Sequence, residues 1–272
     1  MSKFVEDHYN SHAKQEWGRF DDALCRIEFV STLHLMDKYF PERGAVCDIE
    51  GGPGRYTIEL ARRGYQVTLI DISEEELKLA RSQLERSGLK AYQITVGDAR
   101  NLGELISGKF DAALLMGPMY HVIKGKERRQ ILDQLIDILN PQGVAIIAYL
   151  NSWGLLRTGI VDLPHWFKDV TRLRSMLNEQ IFEGQALSGF TECYWSTPDA
   201  ALTEIKSAGF EVISHAGAES FAGGMQPLLE KLSTEDPEAY ANVVQFAAQT
   251  CELNQYRDST DHLHFVVRKA AQ

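Results

Sequence analysis

Ala45 to Tyr56 reads A-V-C-D-I-E-G-G-P-G-R-Y, a short apolar run that passes directly into a glycine-rich turn. Such a run, closed by glycines and followed by amphipathic sequence, predicts a strand, a tight turn and a helix. Gly51, Gly52 and Gly54 let the backbone turn sharply and approach a ligand with no Cβ in the way. Pro53 pre-sets the entry to a helix that runs to Gly64. The unit then repeats. Q-V-T-L-I closes on Asp71, and Ser73 with Glu76 forms a capping box for a helix that carries Leu77, Ala80 and Leu84 on one face. Y-Q-I-T-V leads into Gly97-Asp98-Ala99, and F-D-A-A-L-L-M leads into G-P-M-Y-H, Gly117 to His121. A helical face of Ile131, Leu135 and Ile138 stops at Asn140-Pro141-Gln142-Gly143, before the strand-like G-V-A-I-I-A-Y-L. Strands alternating with helices over residues 44 to 150 predict an α/β domain with a doubly wound parallel sheet.

Beyond Leu150 the rhythm changes. Residues 151–196 hold three of the four tryptophans, Trp153, Trp166 and Trp195, with no clear strand period, and read as an inserted helical cap. Thr197-Pro198 starts a helix that ends at Gly209, and F-E-V-I-S-H-A resumes the sheet. A helical excursion at about 220–258, with a helix start at Asp236-Pro237, precedes a last strand, H-L-H-F-V-V-R. Residues 1–40 read as a helical lid, 41–150 as the binding core and 197–272 as the rest of the core, all within one domain over 1–272.

The composition narrows the function classes. The 272 residues are 44% hydrophobic and 24% charged, ordinary for a globular chain. The formal charge of −10 would repel a phosphate backbone, and the basic residues are scattered, so nucleic acid is not an expected partner. The first ten residues have no apolar core of a secretory signal, and the longest apolar runs are strand-sized, which predicts a cytoplasmic chain off the membrane. Cys25, Cys47, Cys193 and Cys251 form no C-x-x-C pair, so no thiolate metal site is encoded locally. His262 and His264 share a face of the last strand without a third ligand nearby in sequence, and no metal is expected.

In an open α/β sheet the ligand crevice lies beyond the carboxyl ends of the strands. Asp71, about twenty residues past the glycines, stands where a carboxylate accepts from ribose hydroxyls, and Asp98 is placed to accept from an adenine amino group. A nicotinamide oxidoreductase also uses an acidic residue after the second strand. However, the third glycine of its G-x-G-x-x-G would fall at Thr57, and Asp98 has no role in that chemistry.

These residues together resemble the class I S-adenosylmethionine-dependent methyltransferases. The motifs are D-I-E-G-G-P-G-R-Y (Asp48 to Tyr56), Asp71, G-D-A (Gly97 to Ala99), F-D-A-A-L-L-M-G-P-M-Y-H and L-N-P-Q-G-V. With E-W-x-R-F at Glu16 to Phe20, they look like a bacterial subgroup acting on small molecules, and the likeness extends over roughly residues 1 to 268. The resemblance implies a Rossmann-like seven-stranded sheet with a C-terminal antiparallel strand pair, and S-adenosyl-L-methionine as cofactor, leaving as S-adenosyl-L-homocysteine. It implies that Asp48, Gly51, Gly52 and Gly54 hold the methionine end and Asp71, with Ile72, the ribose. Asp98 and Ala99 would hold the adenine, and Met116 and Gly117 would line the transfer point. One position departs from the pattern: Glu50 stands where the family's first glycine would be. There a side chain costs backbone strain or occupies cofactor space, or its carboxylate attracts the cofactor's ammonium or sulfonium. The alternative consistent with Glu50 is a catalytically silent binding module.

Methyl transfer from a sulfonium is an in-line displacement that needs alignment and exclusion of water more than a nucleophilic side chain. Where the acceptor is a hydroxyl or thiol a base helps, and His121, assisted by Tyr120, is the candidate. Tyr9, Trp17, Tyr120, His121, Trp153 and Trp195 are the candidate walls for a small acceptor, in a monomer or homodimer.

Overall fold

In the computed structural model, which describes residues 1–183 and 191–270, two helices precede the first strand, α1 (Lys3–Gly18) and α2 (Cys25–Tyr39). The chain then runs through β1 (Ala45–Ile49), α3 (Arg55–Arg62), β2 (Gln66–Asp71), α4 (Glu74–Arg86), β3 (Gln93–Val96) and α5 (Leu102–Leu105). Next come β4 (Phe110–Leu115), α6 (Pro118–His121), α7 (Gly125–Ile138) and β5 (Leu139–Asn151). After these follow α8 (Leu155–Asp162), α9 (Val170–Ser175), β6 (Gln180–Phe182), β7 (Cys193–Ser196), α10 (Pro198–Ser207) and β8 (Phe210–Gly217). The chain closes through α11 (Gln226–Glu235), α12 (Pro237–Thr250), α13 (Asn254–Arg257) and β9 (His262–Lys269).

The strands β3, β2, β1, β4 and β5 lie side by side in parallel, and β9 joins β5 antiparallel with β8 antiparallel beyond it. The chain builds outward from β1 to β3 and then returns to place β4 on the other side of β1. The carboxyl ends of β1 and β4 therefore flank the crevice where strand order reverses.

Alternate residues of the strands sort to the two faces of the sheet, as the two-residue period requires. Cys47, Ile49, Ala113, Leu115 and Ile147 pack with Ile131 and Leu135 of α7 and Ile205 of α10. Val46, Val67, Ala112, Leu114 and Ile146 pack with Leu35 and Met36 of α2 and Leu60 of α3. Burial on both faces explains why these strands read as nearly continuous apolar runs.

Three details differ from the sequence reading. The segment after Leu150, expected to lack strands, contains β6 and β7: β7 adds in parallel to the end of β5 at Leu150 and Asn151, and β6 pairs back onto β7. Residues 184–190 of that expected cap lie outside the described residues. The strand β5 begins before Asn140-Pro141-Gln142-Gly143, but Phe110 pairs with Leu139 and Ala112 with Val144, so the turn-forming residues loop out of register as a bulge. At the start of α4 only half of the capping box forms. Ser73 Oγ accepts from the Glu76 N–H at 3.2 Å, but the Ser73 N–H donates to Asp71 Oδ1 at 2.7 Å, which leaves the Glu76 carboxyl free to turn inward.

Candidate functional site

The glycine turn after β1 is built on Asp48. Its carboxylate is fully buried, with Oδ2 accepting from Thr57 Oγ1 at 2.6 Å and Oδ1 without a partner among the described residues. Burial raises its pKa to about 6. A Cβ on Gly51 would stand 2.5 Å from that carboxylate, and Gly54 precedes α3 at φ +84°, so both positions need glycine. Asp71, at the end of β2, braces the turn with Oδ2 accepting from the Gly52 N–H at 2.8 Å. Its own burial pushes its pKa up.

Gly51, Gly52, Asp71, Ile72, Met116 and Gly117 line one cavity, whose wall also holds Tyr9, Tyr120 and His121. α1 roofs it. Asn10 Oδ1 accepts from Ser73 Oγ at 2.9 Å and from the Glu75 N–H at 3.3 Å, which ties α1 to the start of α4. Tyr9 OH lies 2.7 Å from His121 Nε2, which ties it to the end of β4. Other expected site residues lie outside the wall. Asp48 and Gly54 support the turn from below and behind. Asp98 accepts from Nε and Nη2 of Arg100 and from the amino group of Met1.

The tryptophans expected around an acceptor are engaged elsewhere. Trp17 lies under the Arg55 guanidinium and borders a separate groove, and Trp153 Nε1 donates to the Leu177 carbonyl. Trp195 is buried with Leu150, Leu155 and Trp166 in a cap core of its own.

His121 and Tyr120, the expected base and its helper, both lie in the cavity wall with polar atoms engaged. Burial lowers the His121 pKa to about 3, so the ring is neutral and a weak acceptor, and Nδ1 lies 3.0 Å from Thr191 Oγ1. Tyr120 OH donates to the Met116 carbonyl, and burial raises its pKa.

The sequence reading missed Glu16, Arg19 and Glu76, which also face the cavity. Glu76 had a sufficient reason to sit at a helix N-terminus, and only the unformed half of the capping box redirects it. It is 2% exposed, Oε1 has no partner among the described residues, and burial followed by the charges of Asp71 and Glu16 pushes its pKa up. Glu16 and Arg19 sit in E-W-x-R-F, so the signal was present without a geometry to interpret it.

Behind Arg19 lies a buried charge network. Glu28 takes its guanidinium through two bonds of 2.6 and 3.3 Å, and His262 Nδ1 lies 2.7 Å from Glu219 Oε1 and 4.0 Å from Glu28 Oε2. Glu28, Glu219 and His262 have the mutual spacing of metal ligands. Their oxygens are already engaged, by Arg19 on Glu28 and by the N–H groups of Asp261 and His262 on Glu219. The group is a salt-bridge network.

Glu50 is the exception in the crevice. It adopts φ +56°, and its carboxyl oxygens accept from the Ile72 N–H at 3.3 Å and the Ala99 N–H at 3.2 Å. Burial, then the charges of Asp71 and Asp98, raises its pKa well above the usual carboxylate range. Apart from this side chain, the donor set fits a nucleoside with a cationic tail. It offers a glycine cradle that a Cβ would fill, buried carboxyls with unpartnered oxygens, and backbone N–H groups at two strand ends.

Comparison with known proteins agrees with this geometry. Residues 46–143 match a family model described as a methyltransferase domain. The chain is 32% identical to a glycine/sarcosine N-methyltransferase of Halorhodospira halochloris over 189 residues, 66% of this chain and 68% of the relative. It is 29% identical to the tRNA 5-carboxymethoxyuridine methyltransferase of Escherichia coli strain K12 over 234 residues, 84% of this chain and 81% of that one. Among solved structures, the fold is similar to 1,6-didemethyltoxoflavin-N1-methyltransferase of Burkholderia thailandensis, with TM-score 0.61 and 14% identity, covering 98% of this chain and 88% of that one.

Proposed function

The chain belongs to the class I S-adenosylmethionine-dependent methyltransferases, and on that premise we propose that it methylates a small molecule enclosed between α1 and the carboxyl ends of β1, β2 and β4. Its cofactor, S-adenosyl-L-methionine, supplies a methyl group already activated on a sulfonium. In this reading Asp48, Gly51, Gly52 and Gly54 shape the seat of the cofactor's amino-acid end, and Asp71 and Ile72 lie beside the ribose. Asp98 and Ala99 face the base, and Met116 and Gly117 flank the transfer point.

The observation that carries the small-molecule reading is the roof. Tyr9 on His121, and Asn10 on Ser73 and Glu75, hold α1 across the crevice, so an acceptor sits inside a cavity rather than in an open groove for a polymer. The aromatic faces of Tyr9 and Tyr120 exclude water and align the acceptor. With His121 neutral to about pH 3, its role is to hold Tyr9 in place. The carboxyls of Glu16, Asp71 and Glu76 face the same cavity with raised pKa values, and a cationic cofactor beside them would favour their charged forms. Four free cysteines support a cytoplasmic setting, and no helix among the described residues is long and apolar enough to cross a membrane.

Incubation with methyl-labelled cofactor and separate pools of metabolites, tRNA and protein tests the acceptor class. The expected outcome is label in the metabolite pool. Label confined to tRNA or protein overturns the small-molecule reading and leaves the family assignment intact.

A further inference from the structure

We infer that Glu50 is the chain's own competitor for the adenine end of the cofactor site, and thereby sets how tightly the cofactor is held. The inference rests on the cofactor seat proposed above. Its starting point is the backbone. A left-handed conformation strains an L-residue, so a Glu at φ +56° persists only where its side chain is held. The two hydrogen bonds from Ile72 and Ala99 do that holding, and they carry the side chain across the carboxyl ends of β2 and β3. The Glu50 Cβ also lies 3.6 Å from where a Cβ on Gly117 would be, so the residue borders the end of β4 as well.

The partner at β3 gives the position its meaning. Adenine presents a ring-nitrogen acceptor beside an amino donor on its pairing edge. The Asp98 carboxylate with the N–H of the next residue, Ala99, is the complementary pair, one acceptor and one donor, and the adenine amino group would take the place on Asp98 that the Met1 amino group holds. A carboxyl oxygen on the Ala99 N–H stands in the place of the ring nitrogen. The base takes that donor only after Glu50 has turned away.

The surroundings decide between this role and attraction of the cofactor's positive charge. The cations at this strand end are already committed, Arg100 to Asp98 and Glu127 and the Met1 amino group to Asp98, and Asp71 and Asp98 both oppose a charge on Glu50. Both Glu50 oxygens are already on backbone N–H groups, at the strand ends where the adenosine would lie, and acids rather than cations stand beside them. The effect of Glu50 therefore falls on the adenosine portion, which is shared by cofactor and product, and not on the sulfonium.

If Glu50 is turned away in fewer than about one molecule in ten, the apparent dissociation constant rises at least about tenfold. The test is isothermal titration of the full chain and its Glu50→Gly and Glu50→Gln variants with S-adenosylmethionine, S-adenosylhomocysteine and adenosine, alongside thermal unfolding. Glycine is favourable at this φ, so Glu50→Gly is expected to fold with an unchanged or higher Tm. It should bind all three ligands at least about tenfold more tightly, by a similar factor for each. Glu50→Gln keeps the length but turns an amide N–H toward one of the two donors, and falls between the two forms. Equal binding by the wild type and Glu50→Gly overturns the inference and leaves the cofactor seat standing. Weaker binding of S-adenosylmethionine alone by Glu50→Gly also overturns it, by making Glu50 a partner of the sulfonium. Binding of none of the ligands by any form removes the cofactor seat itself, and the inference with it.

Discussion

Asp48 shows how one residue type serves the strand end in two ways. The sequence placed an acid before the glycine turn, and the resemblance put it at the cofactor's methionine end. The structure adds that the acid is a strut, held by Thr57 through its hydroxyl and its backbone, with the other carboxyl oxygen unpartnered among the described residues. Replacing Thr57 by Val removes the hydroxyl at nearly constant volume and leaves the buried carboxyl with only the backbone of residue 57. The expected loss is about 1–3 kcal/mol of stability at neutral pH, read by chemical denaturation. A loss near zero shows that Asp48 is supported from elsewhere. His121 makes the same point from the other side. A loop histidine beside a tyrosine is legible as an acid–base candidate, but its titration depends on burial, which lowers its pKa to about 3.

At the scale of elements, α1 matters because of where it is tied. It has one buried side chain, Val5, so packing alone holds it weakly. Its polar clasp is Asn10, which serves Ser73 and the first turn of α4 at once. Asn10→Ala should cost only about 1 kcal/mol globally. Its larger effect is local, with faster amide hydrogen exchange across residues 3–18 and little change in β1 or β4. Exchange that is unchanged in α1, or raised equally throughout, refutes the clasp. The strands of the parallel sheet and the starts of α4, α10 and α12 were legible because each rests on neighbouring residues. The pair β6 and β7 was not, since four or fewer residues show no clear period and their pairing depends on the distant end of β5.

For the whole molecule, the buried network of Arg19, Glu28, Glu219 and His262 joins the N-terminal helices to the last strand. Burial alone would lower the His262 pKa, but Glu28 and Glu219 outweigh it and raise the value to about 9 from 6.5. Its contribution is therefore complete below about pH 6.5 and is lost as pH rises through 9. Glu28 has the opposite sense. Burial would raise its pKa, yet Arg19 and His262 hold it at about 2 against the usual 4.5, so its contribution is present above pH 4.5 and is lost as pH falls through 2. The network is whole between these limits. The denaturation midpoint should fall between pH 6.5 and 9, and His262→Gln should start lower at pH 6 and fall less steeply over that window. An equally steep fall in the variant removes His262 as the cause. The two members of this network most distant in sequence, Arg19 and His262, illustrate what folding adds. The sequence by itself determined the alternating strands, the glycine turn and the acids after β1, β2 and β3, because period and turn chemistry act over a few residues. Only the tertiary structure decided that Tyr9 meets His121 across 112 positions, that Glu76 turns inward, and that the Glu50 carboxyl lies on the backbone of Ile72 and Ala99. Those outcomes depend on which strand ends stand side by side, and the order of the strands in the sheet sets that.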